Sequence, residues 1–167
     1  RSTLFPYTTL FRSSYVTMHD GIRTIRHDAF WGCKSLKAIE LNDQITSIEN
    51  TVIRDCDSAA SFSTKTQTTA LPPALTFIGY NAFLNAKAIT GTMTIPSSVT
   101  KIEDNVFNGS GINAAILPDS LTNLGTGVFA NTSNVSSVTL PSVIKRIPNY
   151  TFQRAAALKH IDLPQGV

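Results

Sequence analysis

Two cysteines and three histidines are the side chains most able to do chemistry in this 167-residue chain. Thiols can pair as a disulfide, act as nucleophiles or bind soft metals, and imidazoles can ligate metals or carry protons. Cys33 and Cys56 are 23 residues apart, whereas His19, His27 and His160 are scattered along the chain. No cluster of these residues has metal-ligand spacing, and there is no nucleophile elbow or phosphate-binding loop. The sequence therefore predicts a non-enzymatic protein with no catalytic residue, metal or cofactor.

The composition is typical of a folded protein. Hydrophobic residues make up 42% of the chain and charged residues 15%, and no apolar run approaches the roughly 18 residues of a membrane helix. The formal charge is +3, but without Arg1 and Arg12 the remaining 12 basic residues face 11 acidic ones. Since no Lys/Arg cluster is present, we expect no nucleic-acid partner. Since no long apolar run is present, we expect no membrane insertion.

A repeated frame runs through the chain. Its first clear copy is "IRTIRHDAFWGCKSLKAIELNDQ", which starts at Ile22, and its last complete copy is "IKRIPNYTFQRAAALKHIDLPQG", which starts at Ile144. About six repeats of 22–24 residues, one of them lengthened to 30, share an aromatic position that we expect to form the structural core. That position holds Phe30, Ile53, Phe83, Phe107, Phe129 and Phe152.

The pattern within one repeat predicts strands that stack in parallel. Segments such as "LKAIEL", "VSSVTL" and "LKHIDL" place apolar residues at the fourth and sixth positions, which face the same side of a strand. A second short extended piece and a compact or helical turn complete the repeat. Because one repeat cannot bury its apolar face alone, repeats must stack. We therefore expect a β-rich α/β solenoid.

The second repeat carries seven extra residues within "DSAASFSTKTQTTALPP". This Ser/Thr-rich stretch predicts a surface loop between the turn and the strand, with Leu71 as the last apolar residue of the repeat. Phe62 either folds back onto the surface or marks a contact, and a solvated insertion is the plainer interpretation.

The frame I-x-x-I-x-x-x-A-F-x-x-C-x-x-L-x-x-I-x-L-P resembles the BspA-like class of leucine-rich repeats over about residues 15–167. Here it reads "IRTIRHDAFWGCKSLKAIEL", with departures such as Ile53 for Phe and Asn42 for Pro. The resemblance implies a right-handed superhelix, curved as an arc or horseshoe, with parallel strands on the concave face. It also implies an extracellular or cell-surface location, in host-associated bacteria or some protists, and adhesion to host or cell-surface proteins.

The outward strand positions are the candidate binding face of such a solenoid. The middle of this face is small and rich in hydroxyl groups, and we find no Trp, Tyr or Arg of the kind that dominates protein interfaces. The candidate residues are Lys37, Ala38, Glu40, Thr92, Thr94, Ala114, Ile116, Ser137, Thr139, Lys159, His160 and Asp162.

Three functions fit this face. The first is an adhesion module that binds a host matrix or cell-surface protein. The second is a structural spacer within a larger multidomain surface protein. The third is the non-catalytic repeat segment of an enzyme such as a surface hydrolase.

Cys33 and Cys56 follow the aromatic position by three residues in consecutive repeats. Stacking should place them about 5 Å apart, within the range of a disulfide. They are either a bridge, a redox pair or two buried thiols. The last interpretation is favoured because small residues continue the column, namely Ala86, Ser110, Thr132 and Ala155.

The opening stretch "RSTLFPYTTLFRSS" does not fit the frame. Residues 1–13 resemble, residue for residue, the translation of a short-read sequencing adapter. We therefore interpret residues 1–14 as an artefactual leader and 15–167 as the solenoid domain. We expect the solenoid to be truncated at both ends, because "YVTM" matches the end of an earlier repeat and Val167 opens another.

Overall fold

The computed structural model describes residues 13–59, 61–64 and 71–167, which form a parallel-strand solenoid of about five turns. The adapter-like residues 1–12 lie outside this description. The strands are β1 (Tyr15–Thr17), β2 (Thr24–Ile25), β3 (Ala38–Leu41), β4 (Ser47–Ile48), β5 (Ser61–Thr64), β6 (Phe77–Ile78), β7 (Thr92–Thr94), β8 (Lys101–Ile102), β9 (Ala114–Ile116), β10 (Asn123–Leu124) and β11 (Ser137–Thr139).

Each repeat forms one coil, and equivalent strands of successive coils pair in parallel. The even-numbered strands form one continuous five-stranded sheet, here called the back sheet. The odd-numbered strands form two three-stranded front sheets, β1-β3-β5 and β7-β9-β11. The inward residues of the front sheets align in register, as Val16 with Ile39 and Phe62 in the first sheet. The core therefore lies between the front sheets, the back sheet and the turns.

No segment of residues 13–59, 61–64 and 71–167 is helical, so the expected α/β character is not confirmed and the described fold is built from strands and turns. The reason is the backbone of the turns. Every coil has two residues with positive φ, located two before and two after the aromatic position, and left-handed residues interrupt a right-handed helix. They are Asp28, Gly32, Thr51, Asp55, Asn81, Asn85, Asn105, Gly109, Gly127, Asn131, Tyr150 and Arg154.

These turns hold successive coils together through backbone hydrogen bonds. Around Phe83, the N–H groups of Asn81, Phe83 and Asn85 donate to carbonyls of the next coil at 2.9–3.1 Å. The same three bonds, between 2.7 and 3.1 Å, recur at each of the five interfaces between aromatic positions. Every donor in these rows points to the following coil, and intervening N–H groups, such as that of Leu84, bond within their own turn. The rows therefore form a third ladder beside the front and back sheets.

Stacked rings fill the interior behind the turns. Phe83, Phe107 and Phe129 are fully buried, with ring centroids 5.2 and 5.8 Å apart, and the half-buried Phe152 extends the stack at 5.9 Å. Phe30 and Ile53 are buried at the same position of the first two coils. The aromatic position thus runs continuously through the core.

The predicted surface loop around Phe62 is wrong. Phe62 lies in β5 with only 2% of its surface exposed, and its ring meets Phe83 edge-on at 5.1 Å. Because Ile53 is smaller than Phe, the larger Phe62 on the facing strand compensates for the lost volume. Thr64 pairs in register with Leu41, so Thr64 and not Leu71 closes the strand. The extra residues follow β5, where 65–70 lie outside the described residues.

Replacing Phe107 with Ala should lower the free energy of unfolding by about 3–5 kcal/mol, because the ring is fully buried between two others. Chemical denaturation of the full chain measures this difference. The exposed Tyr80 is the matched control, and its replacement with Ala should cost well under about 1 kcal/mol. Equal losses in both variants would contradict the stacked-core arrangement.

Arg154→Asn should raise the free energy of unfolding by roughly 1 kcal/mol, because Arg154 holds a left-handed φ of 58° that a long side chain adopts at a cost. Asn occupies the equivalent left-handed position at Asn85 and Asn131. Arg154→Ala is the control, since Ala removes the charge but does not relieve the backbone cost. A gain of equal size in both variants would assign the effect to charge rather than to backbone conformation.

Candidate binding face

The outward positions of the second front sheet form a flat, hydroxyl-rich surface. Six of the predicted residues lie on it in two aligned rows: Thr92, Ala114 and Ser137 in one, and Thr94, Ile116 and Thr139 in the other. Ile116 is the large apolar residue of this surface and is 44% exposed. We call these six residues the Thr94 patch.

The first front sheet presents a second surface, which includes residues that the sequence analysis missed. Tyr15 aligns with Ala38, and Thr17 aligns with Glu40 and Ser63. These five residues are called the Tyr15 patch. The expectation that no Tyr stands on this face is wrong, since Tyr15 is 68% exposed at an outward position of β1.

The sequence contains a signal for both of the missed segments, the one with Tyr15 and Thr17 and the one with Ser63. The "YVTM" segment matches the strand end of the next repeat, which puts Tyr15 opposite Ala38 and Thr17 opposite Glu40. The segment "ASFST" repeats the strand pattern with Phe and Thr in the places of Ile and Leu, which puts Ser63 opposite Glu40.

The remaining predicted residues do not join either patch. Lys159, His160 and Asp162 belong to a segment without an assigned strand, so the strand expected for "LKHIDL" is not formed. His160 Nε2 lies 3.0 Å from Asp162 Oδ1, and both side chains are largely exposed. Lys37 is exposed just before β3, where its backbone N–H donates to the Ser14 carbonyl.

The outward side chains of the Thr94 patch are chemically available. Across the described part of the chain, the hydroxyl groups of Thr92, Thr94, Ser137 and Thr139 make no hydrogen bond within the protein, and the Glu40 carboxylate makes no ion pair. An unengaged hydroxyl or carboxylate can exchange its water for a partner's polar group at little cost. The two patches are therefore suited to contact another molecule.

On the turn side, one cluster of charged and aromatic groups is engaged by contacts within and between coils. Trp31 Nε1 donates to Asp55 Oδ2 at 3.3 Å, and the Arg54 guanidinium lies 5.4 Å from the Trp31 ring centroid. Arg54 also pairs with Asp55 at 3.2 Å, and Asn85 donates to the other Asp55 oxygen at 2.9 Å. Burial raises the pKa of Asp55, but the bonds from Asn85 and Trp31 and the Arg54 charge outweigh it, so this pKa lies below its ordinary value.

Other charges on the turns and the back sheet are also paired. The Lys34–Asp57 and Lys101–Glu103 ion pairs are both 2.6 Å long. The two carboxylate oxygens of Glu49 lie 3.5 Å from a guanidinium nitrogen of Arg26 and 3.5 Å from Nδ1 of His27. These contacts join neighbouring coils or residues close together in the chain.

The other chemistry-bearing residues are not grouped as metal ligands in the part of the chain that the structure describes. Within residues 13–59, 61–64 and 71–167, no group of three or more His, Cys, Asp or Glu side chains is arranged to hold a metal ion. The same residues contain no helix with the length and apolarity needed to cross a bilayer. Cys33 and Cys56 are both buried free thiols.

The family model of the BspA type leucine rich repeat region matches residues 5–74 and 76–167, with six copies of the repeat. No curated protein matches the sequence.

Solved structures share the fold. A leucine-rich repeat protein from T. pallidum superposes with a TM-score of 0.82 at 25% identity, over 92% of this chain and 72% of that one. One from Bacteroides ovatus gives a TM-score of 0.81 at 20% identity, over 95% of this chain and 42% of that one. A leucine rich cell surface protein from Faecalibacterium prausnitzii gives a TM-score of 0.51 at 20% identity, over 92% of this chain and 48% of that one. The chain thus spans less than half of the last two proteins.

Asp55→Asn should lower the free energy of unfolding at pH 7 by about 1 kcal/mol, because the neutral amide loses the attraction to the Arg54 charge and replaces one accepting oxygen with an NH₂ group that cannot accept a hydrogen bond. The folded pKa of Asp55 lies below its unfolded value. The carboxylate's contribution is therefore present above the unfolded pKa of about 3.9 and is lost as the pH falls through the folded pKa. Denaturation curves at pH 7 and in acid should show the two proteins converging at the lower pH.

Asp57→Asn is the matched control, because Asp57 lies on the same side of the solenoid in a solvent-exposed ion pair with Lys34. Its effect should stay within roughly 0.5 kcal/mol at either pH. A pH-independent difference for Asp55→Asn would show that the carboxylate's charge contributes nothing.

Proposed function

Because the chain belongs to the BspA type leucine-rich repeat family, we propose that it is a non-enzymatic binding module that contacts a protein ligand through its exposed front sheets. The observation that carries this proposal is the contrast between the two sides of the solenoid. Side chains of the Thr94 patch are unengaged within the described residues, whereas Trp31, Arg54 and Asp55 on the turn side bind each other.

The composition of the patches supports a protein partner. Tyr15 and Ile116 supply exposed apolar surface, and the surrounding hydroxyl groups supply donors and acceptors for backbone amides. Aromatic anchors surrounded by polar groups are typical of protein interfaces. We propose a host matrix or cell-surface protein as the ligand and adhesion as the outcome.

An extracellular or cell-surface location follows from the same proposal. The F. prausnitzii protein with the same fold is described as a leucine rich cell surface protein, and adhesion requires exposure to the partner. The proposal also includes the right-handed arc or horseshoe implied by the family. It retains the division into a leader of residues 1–14 and a solenoid of 15–167.

The alternative function is a spacer that displays another part of a larger surface protein. The Thr94 patch favours this alternative in one respect, since it contains neither Trp, Tyr nor Arg. A stiff ladder of backbone hydrogen bonds would suit such a role, because each coil contacts mainly its neighbours.

Binding of the purified chain to a panel of immobilised extracellular-matrix proteins and to epithelial cells tests the proposal. Ile116→Arg should weaken binding at least about tenfold, because it places a long charged side chain in the middle of the Thr94 patch. Asn123→Arg is the matched control, since Asn123 is exposed on β10 of the back sheet, and it should leave binding unchanged.

A second variant, Tyr15→Ala with Glu40→Ala, examines the Tyr15 patch in the same assay. Equal binding by wild type and both front variants would refute the proposed face. If the folded wild type bound none of the panel, the spacer function would be supported instead.

A further inference from the structure

The thiols of Cys33 and Cys56 meet inside the core at the interface of two consecutive coils. The two residues occupy equivalent positions, three after Phe30 and Ile53, and the turn ladder fixes their register next to them, where Gly32 N–H donates to the Arg54 carbonyl at 2.9 Å. The Cys56 thiol donates to the Phe30 carbonyl at 2.8 Å, and the same carbonyl accepts the Cys33 backbone N–H at 3.1 Å. This shared acceptor holds the two cysteines side by side across the interface between the coils.

The backbone spacing suits a covalent bond between them. Residues at equivalent positions of adjacent parallel strands lie about 4.8 Å apart, and disulfides form between Cα atoms separated by about 4.4–6.8 Å. The next residues in this column are Ala86 and Ser110, so the sulfur pair is confined to the first two coils.

The two thiols differ in access and acidity. Cys33 retains 9% of its surface exposed, whereas Cys56 is completely buried. Interaction with the Cys56 thiol lowers the pKa of Cys33 despite partial burial, whereas interaction with Cys33 and burial raise the pKa of Cys56. Cys33 is therefore the better nucleophile towards a reagent from solvent, and Cys56 is placed to react second.

We propose that Cys33 and Cys56 are a redox modification site, at which a low-molecular-weight disulfide converts the two thiols into a reversible bond between the first two coils. The Cys33 thiolate attacks one sulfur of the small disulfide, whose S–S bond breaks and releases one small thiolate. Cys56 then gives its proton to that thiolate, and the resulting Cys56 thiolate attacks the Cys33 sulfur and displaces the second small thiolate, which takes up the proton that Cys33 released on ionising. Two protein thiols are oxidised and one small disulfide is reduced to two thiols.

This site does not depend on the proposed binding function, and its role would be to stabilise the fold. The bond would close a loop between two coils and restrict the unfolded chain, which stabilises the folded state. An oxidising extracellular environment would favour the bonded form and a reducing environment the dithiol form.

Incubation of the folded full-length chain with oxidised glutathione, followed by acid quenching, non-reducing mass spectrometry and thiol counting, tests the proposal. We expect the monomer to lose the mass of two hydrogen atoms, both thiols to disappear and a peptide linking Cys33 to Cys56 to appear. The melting temperature should rise by roughly 5 °C. Dithiothreitol should reverse all of these changes.

Single variants separate the two steps, and Ala is the matched replacement because Ala86 continues the column. Cys56→Ala should stop at a glutathione adduct on Cys33, whereas Cys33→Ala should leave the buried Cys56 unmodified. Two free thiols in the oxidised wild type would overturn the proposal. So would a stable glutathione adduct on the wild type, or disulfides formed only between separate chains.

Discussion

The backbone hydrogen bonds between coils impose the constraint on which the rest of this solenoid depends. Each coil must bring its front strand, its back strand and its turn into register with the next coil at once. Among the described strands, the front ladder is interrupted between β5 and β7. The back sheet and the turn ladder continue through the same coils without a break.

Side-chain volume is conserved across facing positions of a coil rather than at each position alone. Ile53 is a departure from the aromatic column, yet Phe62 on the opposite strand reaches Phe83 and restores contact with the stack. Close packing penalises a cavity and an overfilled core alike, so a small residue on one side permits a large one on the other. The second coil thus keeps a continuous core, although Ile53 and Phe62 both differ from the residue types that most coils have at their positions.

The sequence predicted the parts of the fold that depend on one repeated side-chain property. The recurrence of Phe at four successive turns, and of apolar residues on one face of each strand, is visible directly in the sequence. The β5 strand was missed because Phe62 and Thr64 replace the expected Ile and Leu. The left-handed turn positions were missed because Asp, Thr, Asn, Gly, Tyr and Arg share a backbone conformation and no common side-chain chemistry. For the binding face, repeat spacing located the outward rows, whereas the engagement of Trp31 by Asp55 depends on rotamers that spacing does not encode.

The one-way orientation of the turn ladder gives the solenoid a polar axis. At each of the five interfaces between aromatic positions, the earlier coil provides three amide donors and the later coil three carbonyl acceptors. Two such faces can join only donor to acceptor, because a junction of like faces would oppose dipoles of the same sign and leave their groups unbonded. Any added coil or second solenoid that continues the ladder must therefore point the same way along the chain. The backbone alone therefore fixes the direction in which coils can be added, independently of the side chains.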